Sequence, residues 1–241
     1  MKRSIIALSG LRGGAGTTSV AAMLADSLRR LDQSVLVIDF NEADLLRLHF
    51  NIPYEEQHGW AAVVNDPYAW MDQTYQVAPS LWVLPYGRHA LSTARPSTEA
   101  IQSWINALPQ QLVTTAELPQ WILLDLPVLQ TGFNLLYEAS ALHLLIVEPD
   151  MAAHILLGQY VMQTQTHIVV NRHNPACSAT EAVLMDWQQR YRSRLAPLNL
   201  HLDAHVNEAL GHKMPATTYF PESSAAQDMQ SLATWCLTHC R

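Results

Sequence analysis

Short, continuously apolar runs recur along the chain at residues 5–9, 35–39, 81–84, 121–125, 142–147 and 167–171. Apolarity at every position, rather than at every second one, predicts strands covered on both faces, as in a parallel sheet. Between the first two runs, Val20, Ala21, Leu24, Leu28 and Leu31 form one stripe of a helix over residues 17–31. Further helices are expected over residues 97–108, 151–163, 180–195 and 223–240. Residues 41–59 have no clear period, although a short helix fits 42–48. The alternation predicts an α/β fold, a three-layer, doubly wound, mostly parallel sheet, in a single domain over residues 1–241.

Composition narrows the setting. The chain is 49% hydrophobic and 15% charged over 241 residues, enough for one well-filled α/β domain and unlike a disordered chain. The opening MKRSIIALSG has two positive charges before an apolar run, but that run leads into glycines instead of a cleavage site, so it reads as a first strand. No stretch approaches the ~18 apolar residues of a membrane span. Three cysteines, Cys177, Cys236 and Cys240, suit free thiols in a reducing cytoplasm better than a disulfide framework. A net charge of −7 disfavours polyanions, and the only lysines are Lys2 and Lys213.

The segment SGLRGGAGTTS joins the first strand to the first helix, which is where open α/β sheets bind phosphate. A glycine-rich turn that merely connects the two elements is the plainer alternative. Position, glycine number and paired threonines favour a phosphate loop. Backbone amides of Gly13, Gly14, Ala15, Gly16, Thr17 and Thr18 would form an anion nest, and the Thr18 hydroxyl is placed to ligate Mg²⁺. Thr17 stands where such loops usually carry lysine, so the charge that bridges β- and γ-phosphates is missing. Weaker stabilisation of the transition state follows, without loss of binding.

The run R-G-G-A-G-T-T, Arg12 to Thr18, resembles the K-G-G-x-G-K-[ST] loop of the deviant-Walker-A ATPases of the ParA and MinD kind. That resemblance implies ATP and Mg²⁺ as ligands and a nucleotide-sandwich homodimer. It places Arg12 where the family's signature lysine reaches the partner's ATP, a change that conserves charge but not geometry. It also implies that Asp39, ending VLVID, lies near Mg²⁺ as a candidate catalytic carboxylate. Asp125 in WILLDLP would hold Mg²⁺ through water, Asn171 would hydrogen-bond adenine, and Pro215 would belong to the loop behind the base. Singly, each acidic strand end reads as well as a solvated residue; their shared order argues against coincidence. More narrowly, R-G-G-x-G-T-T, LLRLHFN followed by HGW, LWVLPYG, WILLDLP and LATWCL are similar to the BcsQ family of bacterial cellulose-synthesis operons. That likeness implies a role in biofilm cellulose secretion, a complex with the small protein BcsR, and contact with inner-membrane cellulose synthase. Where MinD-like chains carry D-x-D, this one has Asp39-Phe40-Asn41, and Asn41 cannot act as a general base. Slow or negligible hydrolysis is expected.

Other constellations carry less. His201, Asp203 and His205 would share one face of a strand without a fourth metal ligand, and Cys236, His239 and Cys240 lack zinc-site spacing. The terminal helix is expected to dock on the core, since it lacks the basic face of an interfacial helix. Trp60, Trp70 and Trp104 are expected in the core, with Trp60 a candidate for a partner groove. Two alternatives to the cellulose role are a ParA-type DNA-partitioning ATPase, disfavoured by charge, and a MinD-type positioning ATPase. A P-loop kinase or reductase needs a catalytic lysine or a cysteine-held cluster, and neither is apparent.

Overall fold

Side chains alternate across a strand, so a run that is apolar throughout has two faces to bury. In strand β1, Ser4–Gly10, Ile6 and Leu8 enter one buried cluster and Ile5 and Ala7 another on the opposite face. Strand β2, Val35–Asp39, divides the same way, with Val35 and Val37 set against Leu36 and Ile38. The computed structural model describes residues 3–87, 96–128 and 132–240. It completes the sheet with β3 Tyr75–Ala78, β4 Leu81–Leu84, β5 Trp121–Asp125, β6 Leu142–Val147, β7 Thr166–His173 and β8 Leu195–His201. The spatial order is β3-β4-β2-β5-β1-β6-β7-β8, parallel except where β3 runs against β4.

Helices α1 Thr17–Arg30 and α8 Ser224–His239 cover one face of the sheet, with α6 His205–Gly211 and α7 Ala216–Tyr219 beside them. Helices α2 Thr98–Thr114 and α3 Asn134–Ala139 cover the other face over β1, β2 and β5. Helices α4 Met151–Gln159 and α5 Ser178–Arg190 continue that layer over β6 and β7. The expected three-layer, doubly wound fold is the one observed. β1 lies centrally, and the chain leaves it toward β2 on one side but passes from β6 to β7 on the other. Loops part there, making the crevice in which such sheets bind ligands.

Several boundaries differ from expectation, each for a local reason. Helix α2 runs through Pro109 to Thr114, because Gln111 and Leu112 are buried beyond it and the Gln111 side chain accepts a hydrogen bond from Trp70 at 2.7 Å. Helix α4 stops at Gln159, where Tyr160 turns extended. The helix expected over residues 180–195 is α5, which ends at Arg190, and Leu195 instead opens the edge strand β8, whose mixed polarity conceals its start. The antiparallel edge strand β3 is concealed in the same way. Residues 42–48 do not form a helix as a unit; a 3-10 turn lies at Leu46–Phe50.

Trp60 does not line an open groove. It is buried and stacks on Trp104 with centroids 4.3 Å apart. Trp70 and Trp104 are buried as expected. Helix α8 docks on the core through Met229, Leu232, Ala233 and Cys236. No helix among the described residues is long and apolar enough to cross a membrane.

Candidate functional site

Register sets the site. Asp39 and Asp125 are paired positions of β2 and β5, and Asp125 is in turn level with Leu8 of β1, just before the glycine loop. Both aspartates are fully buried. Asp39 accepts the backbone N–H of Asn41 at 2.8 Å and of Leu46 at 3.2 Å, and its main-chain oxygen accepts the Trp60 indole at 2.7 Å. Burial, then repulsion from Asp125, pushes its carboxyl well above the usual carboxylate range. Neither oxygen of the Asp125 carboxylate has a hydrogen-bond partner among the described residues. Burial raises that carboxyl too, while the nearby Thr18 hydroxyl and Asn41 amide act the other way.

Two adjacent carboxylates buried without a cation are costly in a folded protein. Asp125 with Thr18 and Asp39 supplies hard oxygen donors of the kind Mg²⁺ takes. Asn41, which replaces the second aspartate of the D-x-D triplet, donates its side-chain amide to the main-chain oxygen of Asp125 at 3.4 Å. It ties β2 to β5 and has no basic atom to offer.

The loop between β1 and α1 turns through left-handed glycines. Gly16 has φ 86°, and a Cβ there would lie 2.6 Å from the Asn171 side chain. At Gly14, φ 80°, the same position opens to free space. Asn171, near the end of β7, donates its side-chain amide to the Ala15 carbonyl at 2.8 Å, and Arg172 donates to the Gly14 carbonyl at 3.0 Å. Two consecutive strand residues thus grip two consecutive loop carbonyls. A cavity of about 50 Å³ beside the loop is walled by Gly16, Ser19, Asn171, Arg172, Asp203 and Asn207, among others.

Arg12 folds back within its own chain. Its guanidinium reaches Glu148 at 3.2 Å and bonds Asp150, both in the loop that follows β6. Pro215 is buried and opens α7, outside the wall of that cavity. Its segment is tied to α1 by Asp26, which accepts Thr217 at 2.7 Å and Thr218 at 2.9 Å.

The His201, Asp203, His205 set is not one face of a strand. β8 ends at His201, which pairs with Asp228 at 2.9 Å, while Asp203 bonds the His205 ring at 2.7 Å. No group of three or more His, Cys, Asp or Glu side chains placed to hold a metal ion is found among the described residues.

Glu148, Asp150 and Arg172 are the site residues that sequence reasoning missed. Their signal was positional: E-P-D directly follows an apolar strand, and Arg172 directly follows Asn171. A fourth, Arg47, is buried and bonds the carbonyls of Pro53, Glu56 and His58 at 2.8, 2.7 and 3.0 Å, organising the segment that places Leu46 on Asp39.

Solved structures share this fold. The MinD cell division protein of Aquifex aeolicus superposes with a TM-score of 0.77 at 15% identity, over 98% of this chain and 97% of that one. The septum site-determining protein MinD of Pyrococcus horikoshii OT3, complexed with Mg-ADP, gives 0.70 at 22% identity, over 97% and 95%. The fold is therefore that of the P-loop ATPases of the MinD and ParA kind. Within that class, the family described as "Cellulose biosynthesis protein BcsQ" matches residues 3–237. The Escherichia coli (strain K12) cellulose biosynthesis protein BcsQ is 33% identical over 243 residues, covering 97% of this chain and 94% of the relative. The chain belongs to the BcsQ family.

Proposed function

We propose that this protein binds ATP with Mg²⁺, dimerises around the nucleotide as a sandwich, and serves as an assembly or regulatory factor for bacterial cellulose synthase with slow or negligible hydrolysis. The observation that carries the reading is the Asp125 carboxylate, fully buried, without a hydrogen-bond partner among the described residues, and beside a loop of phosphate-binding form. A carboxylate in that state is neutralised by a proton or by a cation, and the phosphate loop beside it favours the cation.

Asp125, Asp39 and the Thr18 hydroxyl would hold the Mg²⁺, the carboxylates through its waters. The ion would supply charge neutralisation at the β- and γ-phosphates. Amides of Gly13 to Thr18 and the N-terminus of α1 would cradle the phosphates. Asn171 lies at the wall of the adjoining cavity, where a base would sit, and Pro215 would belong to the loop behind that base. Arg12 would leave Glu148 and Asp150 to reach the nucleotide of the second copy. With Thr17 in the lysine position and Asn41 in place of a carboxylate, binding survives and turnover suffers. ATP then acts as a ligand that stabilises the dimer by mass action. Family membership supports BcsR and other components of the synthase as partners, met from the cytoplasm at the inner membrane.

Titration calorimetry tests the reading: ATP binding by the wild type should require Mg²⁺, and Asp125→Asn should lose that requirement. Equal affinity of the wild type with and without Mg²⁺ would refute it. A DNA-partitioning role has little support at a net charge of −7. ATP-dependent, salt-sensitive cosedimentation with DNA would reverse that preference.

A further inference from the structure

A phosphate loop without its lysine still needs a cation near the phosphates, since backbone amides alone leave much of a triphosphate's charge unmatched. Arg172 is placed to supply one. It has φ 55°, a left-handed conformation that arginine rarely adopts, within the last turn of direction at the end of β7. Strain of this kind persists where the surrounding structure imposes it and commonly marks a functional position. Here it accompanies a side chain that leaves the line of the strand to reach the Gly14 carbonyl at 3.0 Å. The same terminal nitrogen lies 3.6 Å from Glu148 Oε2, the oxygen that also meets Arg12 at 3.2 Å. Two guanidinium groups therefore already converge on a single anionic oxygen at the lip of the loop. Gly14 itself faces open space on its Cβ side.

We propose that Arg172 is the phosphate-binding cation of this loop, acting within its own chain in place of the lysine that Thr17 replaces. The inference rests on the nucleotide binding proposed above. Glu148 holds the arginine before nucleotide arrives, and the polyphosphate displaces that carboxylate. Arginine suits the role because its planar fork can keep one N–H on the Gly14 carbonyl while others meet phosphate oxygens. Asn171 and Arg172 then divide the ligand between them, the asparagine at the cavity and the arginine at the phosphates.

The test is displacement of a fluorescent ATP analogue by ATP, ADP and AMP, in the presence of Mg²⁺, from wild type, Arg172→Asn and Arg172→Lys. Asparagine tolerates the left-handed conformation, so the first variant removes the charge without forcing the backbone. Loss of a charge-assisted hydrogen bond should weaken ATP about tenfold or more while AMP changes by less than about twofold, and lysine should recover most of the difference. Equal weakening of all three nucleotides would reduce Arg172 to a structural brace and overturn the inference. Unchanged binding of all three would overturn it as well, leaving nucleotide binding itself intact. A wild type that binds none of the three overturns both this inference and the reading beneath it.

Discussion

Asp150 caps helix α4 with one carboxylate oxygen, accepting the Ala153 N–H at 2.8 Å, and holds the Arg12 guanidinium with the other. The two jobs separate by substitution. Asp150→Asn keeps a good N-cap and should change stability by less than about 0.5 kcal/mol, because the ion pair is half exposed. Asp150→Ala loses the cap and should cost about 1 kcal/mol. Urea melts of the two variants read this directly, and equal losses would mean that the ion pair, not the cap, carries the energy.

Arg12 should matter to assembly and not to folding. Arg12→Ala is expected to leave the melting temperature of the nucleotide-free chain within about a degree or two, as for a half-exposed ion pair. It should also abolish ATP-dependent dimerisation in sedimentation velocity runs. A variant that dimerises as the wild type does would remove the proposed reach in trans.

The strand-end aspartates were legible in the sequence because each closes an apolar run, and the register of β2 with β5 makes them neighbours. The central strands were legible for the same reason. β8 was legible only at its end, where a strand was expected around His201, because Leu195–His201 is an edge strand with one side open and polar residues among its apolar ones. The grip of Arg172 on Gly14 joins residues 158 positions apart, and no local pattern announces a contact of that span. The Asp44–Arg47 pair lies in residues 41–59, which have no period to announce burial, yet both side chains are buried, 2.7 Å apart.

That pair yields a stability prediction. Arg47→Ala leaves the buried Asp44 carboxylate without its cation, held only by backbone N–H groups such as that of Tyr86, and frees three carbonyls, so it should cost about 3 to 5 kcal/mol. Replacing both residues by apolar ones should cost less than the single change, since no buried charge is left alone. Chemical denaturation of the single and double variants decides the order.

Asp125→Asn should raise the stability of the nucleotide-free protein by about 1 to 2 kcal/mol, because it removes a buried carboxylate that lacks a partner. The same change should cost Mg²⁺-dependent binding. A loss of stability in the variant would indicate that the charge is satisfied in the free chain.

His143 gives the pH dependence. Its ring is buried between the Ser9 hydroxyl at 2.8 Å and the Thr166 hydroxyl at 3.0 Å, and burial lowers its pKa from 6.5 to about 3. The folded value lies below the unfolded one, so its contribution is complete above pH 6.5 and is lost as pH falls toward 3. His143→Gln removes that titration. Between pH 7 and pH 5 the wild type should therefore lose about 2 kcal/mol relative to the variant. Parallel stability curves for the two proteins would show that the ring is not held neutral.

The most direct test of the account is the mass and nucleotide content of the purified protein after incubation with ATP and Mg²⁺. The account predicts a homodimer carrying unhydrolysed ATP, one per chain, with little phosphate released. A monomer free of adenine nucleotide, or a protein that turns ATP over rapidly by itself, would contradict it.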